Sequence, residues 1–193
     1  MEDRQLLYNI FTQDGLRPAD IETVVTAFRL LDIKKGEYLL QAGNLAQHYY
    51  FVQDGFFRSF AVDPQGNEVT TNFYGPGQMI LDAPSFLLRQ PTREYFQATE
   101  DASCWVLGYE RFQELFDSID AFRNAGRSRL VQGYFALKNR SLSMITDNAK
   151  DRYLQLLAAQ PEILQRAQLK HIASYLGVTD TSLSRIRREV SKG

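Results

Sequence analysis

The sequence predicts an α+β protein of two domains: an N-terminal β-roll or jelly-roll barrel, a long helix, and a small helical C-terminal domain. Three observations predict it. Residues 31–110 are a series of short apolar or alternating runs separated by glycine and proline, at the spacing of an all-β barrel. Residues 119–146 contain no proline and place Leu130, Tyr134, Leu137, Ser141 and Met144 at alternating steps of four and three. The stretch "LKHIASYLGVTDTSLSRIRREV", Leu169 to Val190, is two short amphipathic patterns around one glycine. The expected divisions are 1–118, 119–146 and 147–193.

Residues 1–30 read as helical. Leu6, Leu7, Ile10 and Phe11 share a face, Gly15 and Pro18 break the run, and Ile21, Val24, Val25 and Phe28 resume it. In the barrel, "VDPQGN" (62–67) is a turn between two strands. The 4-3-4-3 stripe is a coiled-coil seam with Arg127, Arg129, Lys138, Asn139 and Arg140 largely off it. Such a helix either packs on its own barrel or pairs with its twin, and the narrowness of the stripe favours the twin. Gly133 and Ser141 weaken the seam. Asp147 or Asn148 could cap the first helix of the end domain, and Pro161 starts or interrupts the next segment.

The last stretch has the requirements of a helix-turn-helix. Ala173 is small where two helices touch, and Gly177 tolerates a left-handed turn. Ile172, Leu176, Val178, Leu183 and Ile186 anchor the second helix, whose N-cap is Thr179. The remaining positions, Asp180, Thr181, Ser182, Ser184, Arg185, Arg187 and Arg188, point outward to varying degrees. With Thr179 they are the candidate contacts to double-stranded DNA. Short hydroxyls near a helix N-terminus suit phosphates or base edges, an arginine one turn on can grip guanine, and later arginines neutralise phosphates. The bland alternative is a solvated basic face that complements the helix dipole. Asp180 either accepts from a cytosine amino group or simply favours the helix N-terminus.

Charge is distributed in keeping with this. Residues 147–193 hold 8 Lys/Arg against 5 Asp/Glu, a net +3, and the remainder is net −4. One cysteine, Cys104, excludes an intramolecular disulfide and any multi-thiolate cluster, and its apolar surroundings suggest a core residue. Two histidines, His48 and His171, 123 residues apart on different modules, do not make a metalloenzyme of the cupin type, and no metal site is expected. No enzyme activity is expected. Neither a signal peptide nor an apolar run long enough for a bilayer is visible, so a cytoplasmic protein without a membrane partner is expected.

On these residues the chain resembles the Crp/Fnr superfamily of transcriptional regulators. "KKGEYLLQAGNLAQHYYFVQDGFFRSFAVDPQGNEVTTNFYGPGQMI" looks like its cyclic-nucleotide-binding fold, with Gly36, Gly43, Gly55 and Gly77 at turns. The C-terminal stretch is similar to its winged helix-turn-helix, clipped after the second helix. "ASYLG" and "SLSRIR" are especially like its effector-uncharacterised branch. The resemblance implies a homodimer whose 119–146 helices pair and whose recognition helices enter successive major grooves about 34 Å apart. RNA polymerase is a further implied partner.

The family's nucleotide cassette is altered here. The family has Gly-Glu, then Arg-Ser/Thr-Ala some ten residues later, the glutamate for ribose and the arginine for phosphate. This chain reads "ILDAPSFLLRQPTREYFQA": Leu81 replaces the glycine, Asp82 the glutamate, and Arg93 is one residue out of step, followed by Glu94. A carboxylate beside a phosphate site is repulsive, so cAMP is not the expected ligand. Leu81, Asp82, Thr92, Arg93, Glu94, Tyr134 and Leu137 are the candidate effector pocket. No cofactor is assigned, and an unidentified small-molecule effector and a ligand-free barrel both stay open. Phe73, Tyr74, Phe86, Tyr95 and Phe96 either line a less polar pocket or belong to the ordinary barrel core. The alternative function is a ligand-sensing module acting on a protein partner through its end domain.

Overall fold

The computed structural model describes residues 4–191. The expected helical reading of residues 1–3, and residues 192–193 of the terminal domain, lie outside the described residues.

Two helices precede the barrel, α1 (Gln5–Gln13) and α2 (Pro18–Ala27), with Pro18 in the first turn of α2, where a missing N–H costs nothing. Eight strands follow: β1 (Arg29–Ile33), β2 (Tyr38–Leu40), β3 (His48–Asp54), β4 (Phe57–Val62), β5 (Glu68–Tyr74), β6 (Met79–Ile80), β7 (Tyr95–Ala98) and β8 (Ala102–Gly108). A short helix, α3 (Ala83–Leu88), lies between β6 and β7. The strands form two antiparallel sheets, β1-β8-β3-β6 and β2-β7-β4-β5. Between the sheets lie Tyr50, Val52, Phe57, Ile80, Phe96, Ala98, Cys104 and Val106. The other face of the first sheet carries Tyr49, Phe51, Trp105 and Leu107, covered by Leu7, Phe11, Val24, Phe28, Phe112 and Phe122 of the flanking helices. Burial on both faces explains why "YYFV" and "CWVL" are continuous rather than alternating apolar runs. Cys104 is fully buried, and burial pushes its thiol up to about 12, so it is an inert core residue.

The 62–67 turn is held by Asp63, whose Oδ1 accepts from the N–H groups of Gln65 and Asn67 at 2.9 and 2.8 Å. The hairpin it closes is irregular. Ser59 pairs with Asn72 and Phe60 with Thr70, so Thr71 is an extra residue without a partner on β4, a β-bulge. β5 is also an edge strand.

Helix α4 (Tyr109–Ser118) leads through Ile119 into α5 (Asp120–Thr146), 27 residues and about 40 Å long. The seam residues Leu130, Tyr134, Leu137 and Met144 are 40–63% exposed, and Ser141 is also exposed. The apolar face is wider than the narrow stripe expected, because Val131, Phe135, Leu142 and Ile145 are exposed beside it. The opposite side is anchored by two arginines. Arg129 pairs with Asp14 and lies over Phe51, and Arg140 reaches β5.

The terminal domain comprises α6 (Ala149–Ala159), α7 (Ile163–Arg166), α8 (Leu169–Leu176) and α9 (Asp180–Val190). Asn148, one of the two expected caps, accepts from the N–H groups of Lys150 and Asp151, both at 3.0 Å. Among the described residues after 146 there is no strand. Its core of Tyr153, Leu156, Ile163, Ile172, Ala173, Leu176, Leu183 and Ile186 is continuous with Phe56 and Phe73 of the barrel.

Candidate nucleic-acid interface and ligand cassette

Helix α8 ends at Gly177, whose φ of +67° is the left-handed cap that lets Val178 N–H reach Ala173 C=O at 3.0 Å. Thr179 then caps α9, its Oγ1 accepting from Ser182 N–H at 3.2 Å. Ile172, Ala173, Leu176, Leu183 and Ile186 are all buried, which fixes the roll of α9. That roll leaves Thr179, Asp180, Thr181, Ser184, Arg185 and Arg188 exposed, with Ser182 and Arg187 half-buried. Among the described residues none of the three arginines of α9 forms an ion pair. The helix therefore offers unneutralised cations beside short hydroxyls on one open face, the chemistry that suits a phosphate backbone and base edges.

The cassette residues come together only in part. Asp82 caps α3, its Oδ1 accepting from Ser85 N–H at 3.1 Å, while Oδ2 accepts from the Thr92 hydroxyl. Thr92 Oγ1 in turn accepts Glu94 N–H at 3.0 Å. Glu94 accepts from the Thr71 hydroxyl. Burial raises the Glu94 carboxyl above its ordinary range, with Asp82 adding to the rise, while the Thr71 hydrogen bond and Arg140 oppose it. Thr92, not Arg93, faces inward: Thr92 is 5% exposed, whereas Arg93 is exposed on the outside. Tyr134 and Leu137 do not join the cassette either; they stand in the open on α5. Beside Leu81 and Asp82 lies a cavity of about 350 Å³, whose walls include Tyr38, Leu40, Asn44, His48, Tyr50 and Phe96. Among the described residues no Lys or Arg lines it. Of the five aromatics proposed for a pocket, Phe96 is in this wall. Phe86 is in the helix-side core, Phe73 packs toward the terminal domain, and Tyr74 is half-buried against the inter-sheet core. Tyr95 stacks on Phe60.

Several residues that matter here carried no motif. His171 is buried, with Nδ1 unpartnered among the described residues. It lies near Arg58, which is 3% exposed and pairs with Glu68. Arg140 donates to Thr71 C=O at 2.7 Å and Tyr175 C=O at 3.1 Å, and stacks 4.0 Å over the Tyr175 ring. Ser174 Oγ accepts Thr70 N–H at 3.1 Å. One signal was available. Arg129 and Arg140 are eleven residues apart, three helical turns, and so share one flank of the helix, about a quarter turn from the seam.

A two-sheet barrel, a long helix and a helix-turn-helix follow one another along the chain. Residues 30–118 match the cyclic nucleotide-binding domain family. Residues 30–118 are thus similar to a cyclic nucleotide-binding domain, and the chain shares its overall fold with solved structures of the Crp/Fnr type. FixK2 from Bradyrhizobium japonicum superposes with a TM-score of 0.72 at 19% identity, covering 86% of this chain and 85% of that one. A candidate transcriptional regulator of the Crp/Fnr family from Eubacterium rectale has a TM-score of 0.72 at 16% identity, with coverages of 95% and 88%. The c-di-GMP-responsive global regulator CLP of Xanthomonas campestris has 0.70 at 17%, with 91% and 92%. At these identities the likeness is one of fold. No curated protein matches the chain. No helix among the described residues is long and apolar enough to cross a membrane.

Proposed function

We propose that this protein is a homodimeric, sequence-specific DNA-binding transcriptional regulator whose cassette does not take cAMP. The observation that carries the reading is the outward face of α9, where Thr181, Ser184, Arg185 and Arg188 stand exposed on a helix whose roll is fixed by buried Leu183 and Ile186. The apolar face of α5 supports pairing with a second copy, which would present two such helices to one duplex. RNA polymerase is a further partner in this reading. In the cassette, two carboxylates stand where a phosphate would need a cation, and the inward position is a threonine. That electrostatic field disfavours a cyclic phosphate. A neutral or cationic effector in the cavity beside Leu81 and Asp82 is compatible with it.

Genomic DNA fragments captured by the wild-type protein, then titrated in gel shifts at rising salt, test the reading. Affinity should fall steeply with salt and drop on fragments of the captured sequence in a Thr181→Ala/Arg185→Ala variant. Added cAMP should leave the shift unchanged. A wild-type protein with no salt-sensitive DNA affinity would sink the regulator.

A further inference from the structure

Thr71 is the bulged residue of an edge strand, and three separate parts of the molecule converge on it. On β4 it has no ladder partner, because Ser59 pairs with Asn72 and Phe60 with Thr70. A bulge frees a residue's polar groups and re-aims its side chain. The freed carbonyl accepts from Arg140 of α5 at 2.7 Å. The hydroxyl donates to Glu94, beside the inward Thr92 and Asp82. With its one proton committed, Thr71 Oγ1 accepts from Ser59 at 2.8 Å, and Ser59 is within 3.3 Å of the Tyr74 hydroxyl. The direction of this chain is set by the carboxylate at its end.

The open edge of β5 is closed by the DNA-reading domain. Thr70 N–H donates to Ser174 Oγ, and the guanidinium that holds Thr71 C=O also donates to Tyr175 C=O and stacks on its ring. Residues 70 and 71 of β5 are thereby bound to residues 174 and 175 of α8. Helix α8 is the helix against which the recognition helix α9 is fixed, through Ile172, Ala173 and Leu176. A covered edge is also protected from adventitious strand pairing.

We infer that Thr71 is a joint between the cassette and the DNA-reading domain: Glu94 holds Thr71, Thr71 and Arg140 hold α8, and the seating of α8 sets the position of α9. The route runs within one subunit, across the edge of the second sheet, and does not use the apolar face of α5. A ligand that engages Glu94 competes with the Thr71 hydroxyl, and the competition loosens the seat of α8. The regulatory meaning rests on the DNA-binding reading above; the joint itself does not.

Hydrogen exchange of the full chain, read peptide by peptide without DNA, tests it. Thr71→Val, Glu94→Leu and Arg140→Gln should each speed exchange in Leu169–Leu176 by about tenfold, the scale of one lost hydrogen bond. Peptides from β1 and β8, in the other sheet, should keep wild-type rates. A Glu94→Leu protein whose α8 exchanges at the wild-type rate overturns the joint. If a variant exchanges faster everywhere, the reciprocal arm decides, because coupling between two sites is mutual. Ser174→Ala, changed on α8, should then raise exchange at residues 70–71 and 92–94, and an unchanged cassette overturns the proposal. DNA titration of the wild type is a separate measurement. Absence of DNA affinity removes the regulator and leaves the exchange result standing.

Discussion

Arg185 and Arg188 lie one turn apart on the exposed face of α9 and have the same charge, yet the geometry gives them different work. Arg185 is in the half of the helix nearer Thr179, the half that would enter a major groove first in the proposed DNA-bound state, whereas Arg188 is in the last turn. Arg185→Ala should cost ~1–3 kcal/mol on the preferred sequence and relax base preference. Arg188→Ala should weaken all sequences evenly and make the salt slope shallower by about one. Competition titrations on the captured sequence and scrambled DNA separate the two, and equal losses on every sequence for both variants would contradict the assignment. This turn was legible in the sequence because few residue types satisfy it: Gly177 for its positive φ, Thr179 for its cap, Ala173 for close approach. The cassette was not, because a strand puts neighbours on opposite faces and an error of one residue inverts the reading. Thr92, Phe96 and Ala98 are buried and share one face, which turns Arg93 out. The alternation is present in "TREYFQA", where Thr92, Phe96 and Ala98 fall on the buried side and Arg93 does not.

Helix α5 has two faces with different chemistry. One side binds its own barrel through Arg129 and Arg140; the other exposes Leu130, Val131, Tyr134, Phe135, Leu137, Leu142, Met144 and Ile145. The sequence showed the seam but not its width, since Val131, Phe135, Leu142 and Ile145 form a second stripe of the same spacing one residue over, which Lys138 interrupts. An apolar face of this extent is unstable in water and marks an interaction surface. Leu137, 63% exposed, makes no contribution to the core of its own subunit. Leu137→Glu should therefore leave the melting temperature of the isolated subunit nearly unchanged while placing a charge at the paired face. Light scattering should report a mass half that of the wild type. DNA affinity should fall by on the order of a hundredfold or more, because the second recognition helix no longer binds at high effective concentration. An unchanged mass in solution would remove the dimer. The fold class was readable from element lengths and punctuation, whereas the contact of α8 with β5 joins residues about a hundred positions apart and no local pattern encodes it.

At the scale of the whole molecule, the two domains are joined over a buried histidine. His171, on α8, is 8% exposed. The charged groups acting on it are Arg58 of β4, Lys170 beside it on α8, and Glu68 of β5. Burial first, then the two cations, lower its pKa to about 4, while Glu68 opposes them. The folded protein therefore holds His171 neutral where the unfolded chain, with an ordinary value of about 6.5, already binds a proton. Unfolding takes up that proton, so stability is fully present above about pH 6.5 and is lost progressively as pH falls toward about 4. His48, lowered by burial and by Arg29, acts in the same direction. Urea midpoints at about pH 7.5 and about pH 5 should fall with acid in the wild type. His171→Gln, neutral at both, should fall distinctly less. The first segment to open on acidification should be α8, whose release exposes the edge of β5, so hydrogen exchange at about pH 5 should rise in Leu169–Leu176 before it rises in β8. Identical acid losses in wild type and His171→Gln would show that the boundary between the domains is not where the molecule is sensitive to acid.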